Sequence, residues 1–279
     1  MIITTSMIKD LRDATSLGIS DCKKALEETN GNFDEAIKIL REKGASVAAK
    51  RASKDANEGK IESIITDDYQ QAAMIEVNCE TDFVTRNEDF QSFVSELRDD
   101  SINHVCDTMA DAVASKMEEK MAQIGEKISL RRNVKWVVEG TGAISSYIHM
   151  GGTVGVLVEL SFNKSETISN PIFNELAKDL TLHVAATAPE YLTRDDVPSD
   201  KVESEKDIFR KQLVGKPENI IDNILNGKIN KYFSQICFLE QGFVKEEKQS
   251  INNLISEKSK LIEDEITVKR YVRYQLGGI

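Results

Sequence analysis

Apolar positions recur at steps of three and four through the first 44 residues, and this period predicts three short helices. The first, TSMIKDLRDAT, carries Met7, Ile8, Leu11 and Ala14 on one face, and SLGIS breaks it. The second starts with Ser20 as N-cap, runs through DCKKALEET and stops at Asn30-Gly31, a pair suited to a left-handed turn. The third opens on Asn32-x-x-Glu35, which resembles a capping box, and runs through EAIKILREK to Gly44. A three-helix unit of this size has a marginal core, which suits docking better than catalysis. Residues 45–60 then lose their large apolar positions and read as a basic, alanine-rich linker, helical at its start and ending near Asn57 to Gly59.

From Ile61 the chain repeats itself. KIESII (60–65), MIEV (74–77) and FQSFVSEL (90–97) recur in order as AISSYI (143–148), LVEL (157–160) and FNELAKDL (173–180). The register is ungapped: Ile61 aligns with Ile144, Ser63 with Ser146, Glu76 with Glu159, Phe90 with Phe173 and Leu97 with Leu180. Two strands and a helix per copy predict an α+β core of two related subdomains, residues 61–140 and 141–279, each a small antiparallel sheet with packed helices. A helical stretch near 109–127 and the strand NVKWVVEG lie between the copies, and LHVAATAPE ends a helix at Pro189. Residues 198–233 read as an inserted antiparallel helical hairpin that projects from the core. Val202, Phe209 and Leu213 stripe one arm, Ile220, Ile221, Ile224, Leu225 and Ile229 the other, and GKPE makes the turn. A helix at about 247–260 and the strand TVKRYVRYQL close the chain.

Composition narrows the function. The chain has 279 residues, 40% hydrophobic and 30% charged, enough for a sizeable core and about two domains. A net charge of −11 argues against gripping phosphate backbones, which needs clustered Lys and Arg, and points to proteins or small molecules as partners. Cys22, Cys79, Cys106 and Cys237 are scattered without a CxxC pair, so neither a zinc ribbon nor a disulfide framework is indicated. No apolar run approaches the ~18 residues of a membrane span. The N-terminus lacks the basic and apolar regions of a signal peptide, so the cytoplasm is the expected location.

The sequence holds no GxxxxGK[ST], GxGxxG, GxSxG or HExxH. Gly151-Gly152 in HMGGTVG separates two strand-like runs and reads as a hairpin turn. His104 with Cys106 is a weak two-ligand spacing, His183 falls mid-helix, and His149 ends a strand, where it is exposed. The informative stretch is NCETDFVTRNEDF (78–90). Glu76, Asn78 and Glu80 share one strand face and, with Asp82, have the oxygen donors for a hard cation; such a row more commonly faces solvent. Asp82 then precedes Phe83 at a strand–helix junction. Phe83 is either a staple beneath the next helix, against Phe90 or Val94, or a probe exposed for another protein.

EVNCETDFV (76–84) and LRDATSLGISDCKKAL (11–26) resemble two motifs of the bacterial elongation factor Ts family, the nucleotide exchange factors for elongation factor Tu. SYIHMGGTVGVLVEL (146–160) and LHVAATAPEYL (182–192) are similar to that family too. The resemblance implies a module similar to ubiquitin-associated domains over 1–44, a linker, a duplicated core and a coiled-coil hairpin, with neither enzymatic chemistry nor a cofactor. It implies that Thr81, Asp82, Phe83 and Val84 dislodge magnesium from the partner. It also implies that Leu11, Ile19, Cys22, Lys23 and Lys24 dock on the partner's GTPase domain, with His149 near the interface and a second contact through the core. Two features depart from the family: Ser20 stands where an apolar residue is common, and the chain stops at YQLGGI where some members continue into a helix. No direct nucleic-acid or membrane contact is expected, and the repeats and hairpin offer surfaces for a homodimer. The competing readings are a hydrolase or metalloenzyme built on Glu76, Glu80 and Asp82, and an adaptor that docks without promoting exchange.

Overall fold

The structure, a computed structural model, describes residues 3–15, 17–51, 53–104, 106–213 and 217–278. The side chains of Cys106 and Ile220, and Gly215-Lys216 of the expected GKPE turn, lie outside the described residues. Helices α1 (Thr5–Thr15), α2 (Ile19–Glu28) and α3 (Phe33–Arg51) come first. Strands β1 (Glu58–Ile65) and β2 (Gln71–Cys79), the short helix α4 (Asp82–Thr85), helices α5 (Glu88–Ser101) and α6 (Cys106–Ile124) and strand β3 (Ser129–Val137) follow. The second half contains β4 (Gly142–His149), β5 (Val154–Ser161), a 3-10 turn at Ser165–Ser169 and α7 (Pro171–Thr187). Helices α8 (Ser199–Gln212) and α9 (Glu218–Ile236), strands β6 (Gly242–Phe243) and β7 (Glu246–Ser250), helix α10 (Ile251–Ile262) and strand β8 (Thr267–Gln275) complete it. The result is the expected α+β arrangement of a three-helix N-terminal unit, a duplicated core and an inserted helical hairpin.

The N-terminal unit closes around Leu11, Cys22, Ala25, Leu26, Ala36 and Leu40. Helix α2 stops as predicted: Asn30 and Gly31 take φ of 51° and 84°, and the Gly31 N–H donates back to the Leu26 carbonyl at 2.8 Å. Its start differs. The ladder begins at the Gly18 carbonyl, which accepts from Asp21 and Cys22, so Gly18 is the N-cap and Ser20 lies inside the first turn. Gly44 does not stop α3 either. The helix continues to Arg51, through the first part of the stretch read as a linker, and β1 already starts at Glu58. Gly44 is where α3 crosses α6: a Cβ there would lie 3.1 Å from the Ala122 Cβ. The missing side chain serves close helix packing, not chain reversal. Gln123 of α6 adds a hydrogen bond to the Thr15 carbonyl at 3.3 Å.

The core contains two antiparallel sheets, β1-β2-β3 and β4-β5-β8. Each packs helices on one face, with Ile75, Val77, Phe90, Val94 and Leu97 inside the first subdomain and Val156, Val158, Leu160, Phe173 and Leu180 inside the second. Ile61, Met74, Trp136, Ile144, Leu157 and Tyr274 fill the space between the sheets. The repeat runs deeper than its strands. The register that aligns Glu76 with Glu159 also aligns Asn87 with Asn170, and each caps its helix by accepting the N–H two residues on, at 2.7 and 2.9 Å. The strand pairing slips at the same place in both copies, after Glu76 and after Glu159.

The third strands belong to the repeat as well. Arg132 of β3 binds Glu76 and Arg270 of β8 binds Glu159, each at 2.7 Å. Each guanidinium then stacks on an aromatic of the other sheet, Arg132 on Tyr274 at 4.2 Å and Arg270 on Trp136 at 4.5 Å from the ring centroid. Arg132 also donates to the Gln275 carbonyl and Arg270 to the Val137 carbonyl. This pair of crossed arginines corrects the solvated-face reading of Glu76 and Asn78, which are 0% and 1% exposed. A carboxylate can be buried there because Arg132 and the Gly277 N–H (2.9 Å) supply its charge partner and donor. In the hairpin, α8 and α9 pack against each other over Leu225 and Ile229, with Val202 and Phe209 partly buried alongside, and Leu213, just after α8, is buried as well.

Candidate functional site

Strand β2 ends at Cys79, and the chain turns through Glu80 and Thr81 into α4, with extended Thr81 as its N-cap. One helical turn is not stable alone, so its orientation comes from its anchors. Val84 is 8% exposed and packs with Cys79, Phe90 and the other residues of the first subdomain core. Successive residues on a helix point about 100° apart, and burying Val84 turns its neighbour outward. Phe83 is 77% exposed, while Phe90 is fully buried. Of the two readings left open by periodicity, the staple is excluded: Val84 fills the inner position a staple would need, and the Phe83 ring lies in solvent. Asp82 beside the ring is paired only with exposed Arg86, at 2.7 Å, among the described residues.

The anchors on the other side of the turn are not visible in the local sequence. Glu126, just before β3, accepts from both the N–H and the hydroxyl of Thr81, at 3.1 and 2.8 Å. Glu80 reciprocates by accepting from the Lys127 N–H at 2.6 Å, and it also accepts from the Arg51 guanidinium at 2.7 Å. The Lys127 amide, aided by Arg51, holds the Glu80 carboxyl below the usual range. Burial, with Glu126 nearby, pushes the Cys79 thiol up to about 12, so near neutrality it is a protonated core residue whose Sγ donates to the Thr81 carbonyl. No local signal marks these partners, which lie tens of residues from the motif.

The other predicted residues fall into two groups. Leu11 and Cys22 are both 0% exposed, in the N-terminal core, so they shape the α1–α2 surface from behind. Ile19, 58% exposed, and Lys23 and Lys24 present themselves to solvent on α2. His149 is exposed, its Nδ1 2.8 Å from the Tyr147 hydroxyl, on the hairpin turn that carries exposed Met150. Gly151 and Gly152 take positive φ there, as a turn requires, and the Gly152 carbonyl accepts from the Ile61 N–H at 2.8 Å. Since α4 also packs on β1, the Phe83 turn and the His149 turn both rest on that strand. Glu76, Glu80 and Asp82 do not converge: each faces a different arginine, and no group of three or more His, Cys, Asp or Glu is placed to hold a metal among the described residues. His183 is buried, its Nε2 3.0 Å from Gln241 Oε1 and its Nδ1 accepting from the Val244 N–H. No described helix is long and apolar enough to cross a membrane.

The family model described as Elongation factor TS matches residues 80–278, from the Glu80 turn to the Gly277-Gly278 end of the core. Elongation factor Ts of Clostridium perfringens is 39% identical over 288 residues, covering 99% of this chain and 93% of that protein. Elongation factor Ts of a Nitratiruptor species is 40% identical over 288 residues, covering 99% and 94%. That of Trichlorobacter lovleyi is 38% identical over 291 residues, covering 99% and 93%. The match spans the N-terminal helices, both copies of the repeat and the hairpin, and the chain belongs to the elongation factor Ts family.

Proposed function

We propose that this chain is a guanine nucleotide exchange factor of translation elongation, acting in the cytoplasm. It binds elongation factor Tu in its GDP-bound form and promotes GDP release by disturbing the Mg²⁺ and phosphate site. Family membership supports the partner. The observation that carries the mechanism is Phe83, 77% exposed on a turn whose Thr81 is held by Glu126 and whose Val84 is buried in the core. An aromatic ring in water on a fixed support is poised for burial elsewhere.

Such a factor breaks no covalent bond. It binds the nucleotide-free partner better than the loaded one, and the coupling is reciprocal: nucleotide weakens factor binding as much as the factor weakens nucleotide binding. Each thousandfold of coupling requires ~4 kcal/mol. A Phe83 ring that enters a pocket open only in the nucleotide-free conformation contributes ~2 kcal/mol to that state alone. P-loop GTPases hold Mg²⁺ and phosphates through oriented N–H groups, a Lys and a Ser/Thr. Asp82 brings a negative charge to that network, Thr81 sets the turn, and Val84 keeps the ring outward. Ile19, Lys23 and Lys24 dock on the GTPase domain, with Leu11 and Cys22 supporting them, and His149 with Met150 makes a second contact through the core. The division into a docking module (1–44), a connecting stretch (45–60) and core subdomains 61–140 and 141–279 with the inserted hairpin belongs to the same proposal.

Release of a fluorescent GDP from elongation factor Tu tests it. The chain accelerates release, and Phe83→Ala lowers the maximal rate by roughly thirtyfold, the equivalent of the ~2 kcal/mol above. Acceleration that survives Phe83→Ala intact contradicts the wedge, and binding without acceleration identifies an adaptor.

A further inference from the structure

The two copies of the repeat hold the loop after their second strand in the same way, with one difference. In the second copy Asp264, just before β8, accepts from the Asn163 and Lys164 N–H groups at 3.1 and 3.0 Å and from the Thr167 hydroxyl at 2.7 Å. Glu126 does the same for Thr81 in the first copy. An acid ahead of the third strand is thus a device of the fold. The first copy adds a second carboxylate at the loop's first position: the register that aligns Glu76 with Glu159 puts Asn163 opposite Glu80. The same register puts Glu166 opposite Phe83, so the added carboxylate and the exposed aromatic occur in the same copy.

Glu80 faces a partner from outside the repeat. Arg51 is the last residue of α3, and its Nη1 lies 2.7 Å from Glu80 Oε1. Helix α3 begins in the N-terminal module at Phe33 and is braced along α6 by the Gly44–Ala122 contact. It packs on α2, which carries Ile19, Lys23 and Lys24, in the N-terminal module and ends at the loop of Phe83. The side chains of Arg51 and Glu80 are 35% and 18% exposed, so the pair is partly shielded from solvent.

We infer that Arg51 and Glu80 are positioning residues for nucleotide exchange, coupling the orientation of the N-terminal module to the turn that presents Phe83. The inference rests on the wedge reading of Phe83. When the module docks, α3 fixes Arg51, Arg51 fixes Glu80, and Glu80 with Glu126 fixes the turn. Neither side chain needs to touch the partner.

The test uses the full chain and elongation factor Tu loaded with fluorescent GDP. Release is followed against factor concentration, giving a maximal rate and a half-saturating concentration for each variant. Arg51→Met keeps the aliphatic stem and removes the ion pair. It is expected to lower the maximal rate roughly fivefold, the scale of one partly exposed charge-assisted hydrogen bond, at unchanged half-saturation and unfolding midpoint. Glu80→Gln keeps an acceptor for Lys127 and gives the same drop, and Arg51→Lys restores most of the rate. In a Phe83→Ala background Arg51→Met has no further effect, because the coupling acts through the ring. A wild-type maximal rate for Arg51→Met, an effect confined to half-saturation, or an undiminished effect without the ring overturns the coupling while leaving the wedge intact. A wild-type rate for Phe83→Ala alone overturns the wedge, and the coupling with it.

Discussion

Phe83 and Val84 are adjacent, both apolar, and opposite in role. Val84 belongs to the core and Phe83 to solvent, and their energetics should separate accordingly. Phe83→Ala should change stability by less than about 0.5 kcal/mol, as surface substitutions do. Val84→Ala should cost about 2 kcal/mol through lost packing. Urea unfolding of both variants checks the contrast, and a large loss for Phe83→Ala would mean that the ring is buried in solution. Cys79 offers a test of the turn by pH. Its thiol has a folded pKa of about 12 against an ordinary value of 9.0, so the folded chain holds a proton that the unfolded chain gives up first. The associated stability is fully present below pH 9 and is lost as pH rises toward about 12. Unfolding titrations of Cys79→Ala should therefore be less sensitive to pH across that window than those of the native chain.

The elements legible in the sequence are those with uninterrupted periodicity. The strands of KIESII, MIEV, AISSYI and LVEL, the helices after them and the two hairpin arms all form. The third strands are legible as strands but not as members of the repeat, because the helical hairpin and the β6–β7 pair enter before β8 and destroy the common spacing. Glu76 misleads for a related reason. An alternating row of polar residues looks solvated until Arg132, far along the chain, folds over it. Gly44 reads as a stop because glycine ends helices more often than it lets two helices touch. The crossed arginines predict unequal costs. The Arg132 and Glu76 side chains are 23% and 0% exposed, whereas those of Arg270 and Glu159 are 45% and 7% exposed, so the first pair is the better shielded. Arg132→Met should therefore destabilise by about 2 kcal/mol, because it removes the closer of the two arginines on a buried carboxylate and leaves Arg131, at 3.9 Å, with the Gly277 N–H. Arg270→Met should cost clearly less, and equal unfolding midpoints for the two would refute the ranking.

At the scale of the whole molecule, an acidic chain with a net charge of −11 exposes large apolar side chains at scattered positions, and Phe83 on α4 and Met150 on the β4–β5 turn are the most exposed of them among the described residues, at 77% and 75%. The motif around Phe83 is legible because its residues are contiguous. Its supports, Arg51, Glu126 and Lys127, are not, because tertiary hydrogen bonds across long separations leave no local trace. That division suits an exchange factor, in which the contacting group is small and the scaffold that aims it is large. The most direct measurement is the rate of GDP release from elongation factor Tu at saturating concentrations of the native chain and of Phe83→Ala. The native chain should accelerate release strongly, and the variant should have a roughly thirtyfold lower maximal rate with docking retained. Equal maximal rates for the two would contradict the wedge.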